Sequence, residues 1–149
     1  HWKYALQPNA REKASFLEEN IKPLQTLNLL RFLDDADFID LEFIRVDGHT
    51  RAMALPLIQA GPNKILLFGA DLFPSVHHLP LSYIMAYDVQ PLITLKEKET
   101  VLQKCIRENI ALFFEHDLHH EVALLKKNEA GKIVLDRTCN LEEWCSRTG

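Results

Sequence analysis

The feature that most restricts the fold of this chain is a repeated local pattern, in which a short apolar run ends at a potential metal ligand. The pattern occurs three times, and the ligands are His49, Asp71 and His116. Each preceding run has the length and composition of a β-strand. A set of His, Asp and His delivered from strand ends suits a borderline metal such as zinc. The pattern therefore predicts an α/β chain with a hydrolytic metal site.

Composition narrows the class of protein. The 149 residues are 47% hydrophobic and 26% charged, which is typical of one globular domain. A net charge of -4 without a basic stripe argues against a nucleic-acid partner, and no apolar run is long enough to span a membrane. The chain begins at His1 rather than Met, which suggests a fragment. An odd number of irregularly spaced cysteines argues against a disulfide framework and favours a cytoplasmic location: Cys105, Cys139 and Cys145.

The predicted elements form a mixed α+β chain with a largely antiparallel sheet. Strands are predicted at 29–33, 38–46, 53–59, 64–68, 110–115, 122–126 and 132–135. Helices are predicted at 9–20, 94–109 and, as a single turn, 141–145. Thr94 and Glu97 match a capping box at the start of the second helix. Residues 71–88 have no clear period, and a loop of that length is often functional.

Taken in order, the three ligand segments resemble the second half of the metallo-β-lactamase fold hydrolases. The resemblance covers residues 38–126, and the stretch 71–88 is similar to the lactonase and glyoxalase-II-like branches. It implies that residues 1–149 form a single domain, which is the C-terminal half of a four-layer αββα sandwich. In that family two metal ions activate a water molecule, which attacks the carbonyl of an ester, thioester, lactone or lactam.

The resemblance also implies a role for each ligand. His49 completes the ligand set of the first metal, Asp71 bridges the two metals, and His116 binds the second metal. The intact protein would hold two divalent ions, with zinc expected, and would act on a small-molecule substrate. A carboxylate suits the bridging position because its two oxygens can bind two ions about 3.5–4 Å apart.

Other polar residues are weaker candidates. Asp117 is expected to support the metal ligands or to cap a loop, since metal-bound histidines usually have an outer partner. His78 and Tyr87 are weaker candidates for contact with substrate. His116 and His120 have the i, i+4 spacing of a helical metal pair, but the apolar run before His116 favours a strand.

The sequence departs from the family pattern at several positions. The His-x-His-x-Asp-His motif, which supplies most of the remaining ligands, has no match in residues 1–48. Ala52 and Ala70 stand where Gly is common, and Pro74 stands where some lactonases have a Tyr that assists the substrate carbonyl. We therefore expect the chain to lack the first half of the fold, to bind metal weakly or not at all by itself, and to be inactive alone.

A second interpretation is a structural or oligomerisation module without bound metal. Absence of the first half of the sandwich would expose one apolar face of the sheet, and such faces are often covered by self-association. We therefore expect a homo-oligomer that forms through the exposed sheet face. The coding sequence upstream of His1 distinguishes the two interpretations, because only the enzyme requires the missing histidine motif there.

Overall fold

The computed structural model describes residues 1–33 and 41–146. The chain divides into two compact units, which comprise residues 1–39 and 40–149. Within the described parts of the chain, no helix is both long and apolar enough to cross a membrane.

The first unit contains two helices, α1 (Trp2–Ala5) and α2 (Glu18–Thr26). The predicted helix at 9–20 is wrong for residues 9–17 and right for residues 18–20, which belong to α2. The side-chain oxygen of Asn9 does accept hydrogen bonds from the backbone N–H groups of Arg11 and Glu12, as a helix N-cap would, but residues 10–15 form only turns. The predicted strand at 29–33 is also wrong, since this segment has no strand pairing.

The second unit is a six-stranded sheet with its strands in chain order. The strands are β1 (Leu41–Val46), β2 (Met53–Gly61), β3 (Lys64–Phe68), β4 (Ile110–Phe113), β5 (Val122–Lys127) and β6 (Ile133–Cys139). Two helices accompany them, α3 (Pro91–Glu108) and α4 (Leu141–Ser146). Every pair is antiparallel except β3 with β4. The predicted α+β fold with a mostly antiparallel sheet is confirmed, although residues 38–40 of the first predicted strand of this sheet lie outside the described residues.

Helices cover both faces of the sheet. On one face, α3 packs against strand residues that include Leu55, Leu67 and Leu112, all of which are fully buried. On the other face, Trp144 of α4 packs in a smaller cluster with Leu66 and its neighbours. Each fully buried leucine contributes about 1.5–3 kcal/mol to folding. The larger cluster therefore fixes α3, and the loops before it, against the sheet.

Strand direction explains why the predicted ligands can meet. β3 and β4 are parallel, so the residues that follow each strand lie at the same edge of the sheet. β1 is two antiparallel steps from β3 and therefore points the same way. The turns after β1, β3 and β4, which carry His49, Asp71 and His116, all lie at that edge.

Candidate metal centre

The structure brings the three predicted ligands together around the carboxylate of Asp71. Nε2 of His49 lies 3.4 Å from Oδ2 of Asp71, and Nε2 of His116 lies 3.3 Å from Oδ1 of the same residue. Exposure increases across the group, from 15% for the His49 side chain to 33% for Asp71 and 55% for His116. The site therefore lies at the surface, with His49 as its inner member.

The donor atoms of the site are two imidazole nitrogens and the two oxygens of one carboxylate. Within residues 1–33 and 41–146, no group of three or more His, Cys, Asp or Glu side chains is arranged to hold one metal ion. The two imidazoles instead face different oxygens of Asp71. Imidazole nitrogen and carboxylate oxygen are both ordinary zinc donors, so the chemistry of the set is suitable for divalent metal.

Asp71 is positioned by a tight turn at the end of β3. It lies in a 3₁₀ turn, Ala70–Leu72, which begins after Gly69. The Gly69 N–H donates to the carbonyl of Phe113 at 2.8 Å, which fastens the end of β3 to the end of β4. A Cβ atom on Gly69 would lie 3.0 Å from the carbonyl oxygen of Phe73, closer than an ordinary contact. The small residue thus allows the turn to pack under the site.

Two alanines at this edge adopt the left-handed backbone conformation. Ala52 has a φ of 55° and Ala70 a φ of 40°. These are the positions where the sequence pattern commonly has Gly, and a side chain in this region of backbone space adds strain that Gly avoids. In the first turn, the carboxylate of Asp47 accepts a hydrogen bond from the Ala52 N–H at 2.9 Å, which helps to hold that conformation.

The turn that carries His49 is fastened directly to α3. The carboxylate of Glu97 accepts hydrogen bonds from the backbone N–H groups of Asp47, at 2.7 Å, and Gly48, at 3.0 Å. A Cβ atom on Gly48 would lie only 2.3 Å from the backbone nitrogen of Thr94. Glycine is therefore required here by the close approach of the turn to the helix.

The predicted capping box at Thr94 and Glu97 is wrong. α3 begins one turn earlier, at Pro91, which has the fixed φ and missing donor that suit the first turn of a helix. Thr94 and Glu97 are thus free of a capping role at the start of α3, and both are used instead to hold the candidate site.

Asp88 orients the His49 ring and was not predicted as a site residue. Its Oδ1 lies 2.8 Å from Nδ1 of His49, and its Oδ2 accepts a hydrogen bond from Oγ1 of Thr94 at 2.6 Å. The Asp88 side chain is 1% exposed. Asp88 therefore holds Nδ1 of the ring, and Nε2 is the nitrogen that faces Asp71. The residue type was visible in the sequence, but nothing local linked it to a histidine 39 positions away.

Asp117 fixes the loop that follows His116. Its carboxylate accepts hydrogen bonds at 3.0 Å from the backbone N–H groups of Val76, His119 and His120. Burial raises the pKa of Asp117, but these bonds, with one to the His120 ring, outweigh burial and lower the pKa to about 2. The carboxylate therefore stays ionised and joins this loop to the turn that begins at Val76.

The two weaker candidates lie in the long loop before α3. Nδ1 of His78 lies 2.8 Å from Oγ of Ser75. Burial lowers the pKa of His78, the nearby charges of Lys98 and His77 lower it further, and the charge of Asp88 opposes that shift. Tyr87 is 67% exposed. Contact of either residue with substrate stays a prediction.

Comparison with known proteins identifies the fold. No family model matches the chain, and no curated protein matches it. Solved structures do match. A probable metal-dependent hydrolase from Staphylococcus aureus is 21% identical with a TM-score of 0.73, over 93% of this chain and 50% of its own. AidC, a dizinc quorum-quenching lactonase in complex with a product, is 16% identical with a TM-score of 0.63, over 94% and 53% of the two chains.

A third match is the hydrolase AbOPH of the beta lactamase superfamily, 15% identical with a TM-score of 0.70, over 89% of this chain and 50% of its own. The chain thus spans about half the length of each of these three structures. At these identities the likeness shows the fold, which is half of a metallo-β-lactamase fold, as the resemblance implied.

Proposed function

We propose that this chain carries part of the active site of a binuclear metal hydrolase that cleaves an ester, thioester or lactone bond. One observation carries the proposal, which is that each oxygen of the Asp71 carboxylate faces the Nε2 atom of a different histidine. The fold supports it, since the matching structures include a probable metal-dependent hydrolase and a dizinc lactonase.

Each residue has a distinct part in this proposal. His49 and Oδ2 of Asp71 would hold one ion, and His116 and Oδ1 of Asp71 would hold the other. When bound there, such ions would lower the pKa of a water molecule and polarise the carbonyl group of the substrate. The buried carboxylate of Asp88 holds Nδ1 of His49, so that Nε2 is the ring nitrogen that faces Asp71. Asp117 holds the loop of His116 in place through backbone hydrogen bonds.

The number of metal ligands in this chain limits how tightly it can bind metal by itself. The proposed arrangement gives each ion one imidazole and one carboxylate oxygen, whereas catalytic zinc sites usually have three protein ligands. We therefore propose that the 149-residue chain binds zinc weakly and is inactive by itself. The remaining ligands would come from a His-x-His-x-Asp-His motif elsewhere in the intact protein. We propose that the intact protein acts on a small-molecule substrate.

Zinc titration of the chain, followed by NMR of the imidazole signals, tests the site. We expect the signals of His49 and His116 to shift at weak affinity, and His49→Ala to weaken the binding by more than about tenfold. His119→Ala is the matched control, because His119 is exposed and its hydrogen bond to Asp117 comes from the backbone N–H, which alanine keeps. Shifts confined to other histidines would contradict the site, and stoichiometric tight binding that His49→Ala abolishes would contradict the incomplete ligand set.

Activity is tested on the longest protein that the coding sequence around this chain encodes. We expect that protein to contain the histidine motif upstream of His1 and to hydrolyse at least one of a simple ester, a thioester and a lactone. Absence of both the motif and hydrolysis would contradict the enzyme proposal and favour the alternative of a metal-free structural module.

That alternative has its own supporting observation, an apolar surface on the sheet face opposite α3. Ile58 pairs directly with Leu66, which lies on this face, and is 38% exposed. Phe68 and Phe113 stack on the same face with ring centroids 5.9 Å apart, and both are half-buried. We propose that a second copy of this chain covers this face, which gives a homo-oligomer whichever of the two functions holds.

Ile58→Lys is expected to convert the oligomer to a monomer, because it places a charge within the proposed interface. Sedimentation equilibrium of the wild type and variant measures the change. Leu135→Lys is the matched control, since Leu135 is also 38% exposed but lies on the α3 face of the sheet, paired with Leu125. A monomeric wild type, or equal dissociation in both variants, would contradict this interface.

A further inference from the structure

The middle of α3 contains a charged side chain that is completely buried. Lys98 is 0% exposed, and its Nζ donates to the carbonyl oxygens of Pro80, at 2.8 Å, and Tyr83, at 2.7 Å. The same Nζ lies 5.7 Å from the centroid of the buried Phe73 ring. A buried ammonium is costly unless it is hydrogen-bonded, and lysine is rarely buried without partners. The hydrogen bonds to the two carbonyl oxygens therefore stabilise the buried ammonium, at a position where an apolar side chain is usual.

Both carbonyls belong to the long loop that precedes α3. Thr94 lies one helical turn before Lys98 and therefore on the same face of α3. Thr94 binds the carboxylate of Asp88, while Lys98 binds the backbone of residues 80–83. One face of α3 thus holds the loop at two points. Lys98 holds residues 80–83, and Thr94 holds Asp88, which lies further along the loop and three residues before α3 begins.

The end of this loop is docked on the turn that carries His49. The N–H of Val89 donates to the His49 carbonyl at 3.1 Å, and the N–H of Gln90 donates to the Gly48 carbonyl at 2.8 Å. Asp88 itself binds the His49 ring. The path of the loop therefore decides where the His49 imidazole lies.

We propose that Lys98 is a positioning residue for the candidate metal centre, because it holds residues 80–83 on α3 and thereby fixes Asp88 and the His49 ring. The consequence for metal binding rests on the proposed function, whereas the hold on the loop does not. An apolar residue at position 98 would fill the space, but it would leave two loop carbonyls without their donor.

Because Lys98 is charged, its burial against the loop should make the stability of the folded chain depend on pH. Burial lowers the pKa of Lys98 from 10.5 to about 8, and the charge of Asp88 opposes that shift. His78 also faces this charge. Between about pH 8 and 10.5 the unfolded chain then binds more protons than the folded chain, so this residue makes the folded state more stable as pH rises through that window.

Amide hydrogen exchange measures the hold on the loop directly. In Lys98→Met we expect the amides of Val89 and Gln90 to exchange about tenfold faster or more at pH 7, with little change at Leu67 in the central strand. Lys96→Met is the matched control, because it makes the same chemical change at an exposed position of α3. Unchanged exchange at Val89 and Gln90, or equal acceleration throughout the sheet, would overturn the proposal.

Urea unfolding between pH 7.5 and 9.5 supplies the pH readout. We expect the midpoint of the wild type to rise relative to that of Lys98→Met over this range, and Lys96→Met to follow the wild type. If Lys98→Met does not fold, the carbonyl ¹³C shifts of Pro80 and Tyr83 in the wild type should change with a midpoint near pH 8. Parallel pH profiles for both variants, or carbonyl shifts without that midpoint, would overturn the assignment.

Zinc titration of the same variants separates this proposal from the hydrolase proposal. If Lys98→Met releases the loop and weakens zinc binding at His49, both proposals stand. If it releases the loop while the wild type shows no zinc response at His49, the metal centre is wrong and the hold on the loop stands. If zinc binds at His49 in the wild type and the loop amides are unaffected in Lys98→Met, the positioning role alone is wrong.

Discussion

Asp71→Asn is expected to abolish the zinc response of His49 and His116 together. Both imidazoles face this carboxylate, one at each oxygen, and the amide of Asn cannot present two anionic oxygens. We expect zinc affinity to fall by about 100-fold at both histidines. The imidazole NMR signals measured during a zinc titration check the result.

Comparison with a single histidine variant tests whether Asp71 serves both ions. His49→Ala should remove zinc binding next to Oδ2 of Asp71. It should leave a smaller zinc-induced shift of the His116 signal, because Oδ1 of Asp71 is still present. Asp136→Asn is the matched control, since Asp136 is paired with Lys126 at 2.9 Å on the surface of the hairpin. An Asp71→Asn variant that loses only one of the two responses would show that the carboxylate serves one ion.

Gly48→Ala is expected to destabilise the fold by about 2 kcal/mol or more. The added Cβ would meet the backbone nitrogen of Thr94 at 2.3 Å and its Oγ1 at 2.4 Å. The helix backbone cannot yield at that position without losing its own hydrogen bonds, so the turn that carries His49 must move. Urea unfolding gives the change in stability, and the hydrogen exchange of Val89 and Gln90 reports the displacement of the turn.

Gly61→Ala provides the control for that substitution. A Cβ on Gly61 has its nearest neighbour at 3.5 Å, an ordinary contact at the end of β2, so the change should be within about 0.5 kcal/mol. A Gly48→Ala variant as stable as Gly61→Ala would show that the turn and α3 separate easily, which would contradict the close approach described above.

The part of the fold that could be predicted from sequence is the part with a local signal. The strands at residues 64–68 and 110–113 are short apolar runs. Such runs can be recognised in the sequence as buried strands, even when the strands they pair with are unknown. The three candidate ligands were predicted from their positions after such runs. Their convergence depends on the strand order and direction, which the structure gives and the sequence did not.

The supporting residues could not be predicted, because their roles depend on contacts distant in sequence. Glu97 has the spacing of a capping residue, yet its carboxylate binds backbone groups 49 and 50 positions away. The sequence gives no sign that Asp88 and Lys98 are buried, since a single carboxylate or lysine is normally expected at the exposed surface. The N-cap predicted at Asn9 does make the side-chain hydrogen bonds of a cap, but the chain after it forms turns and the helix begins only at Glu18.

Parallel pairing of β3 with β4 sets the order in which the parts of the site form as the chain folds. These strands can join only after residues 69–109 have closed into a crossover, and the entropy lost in closing a segment rises with its length. Contacts between residues far apart in sequence also form slowly. Asp71 and His116 follow the two strands, so we expect their side chains to meet late in folding. Zinc added to the unfolded chain would therefore encounter scattered ligands and could not speed the early steps.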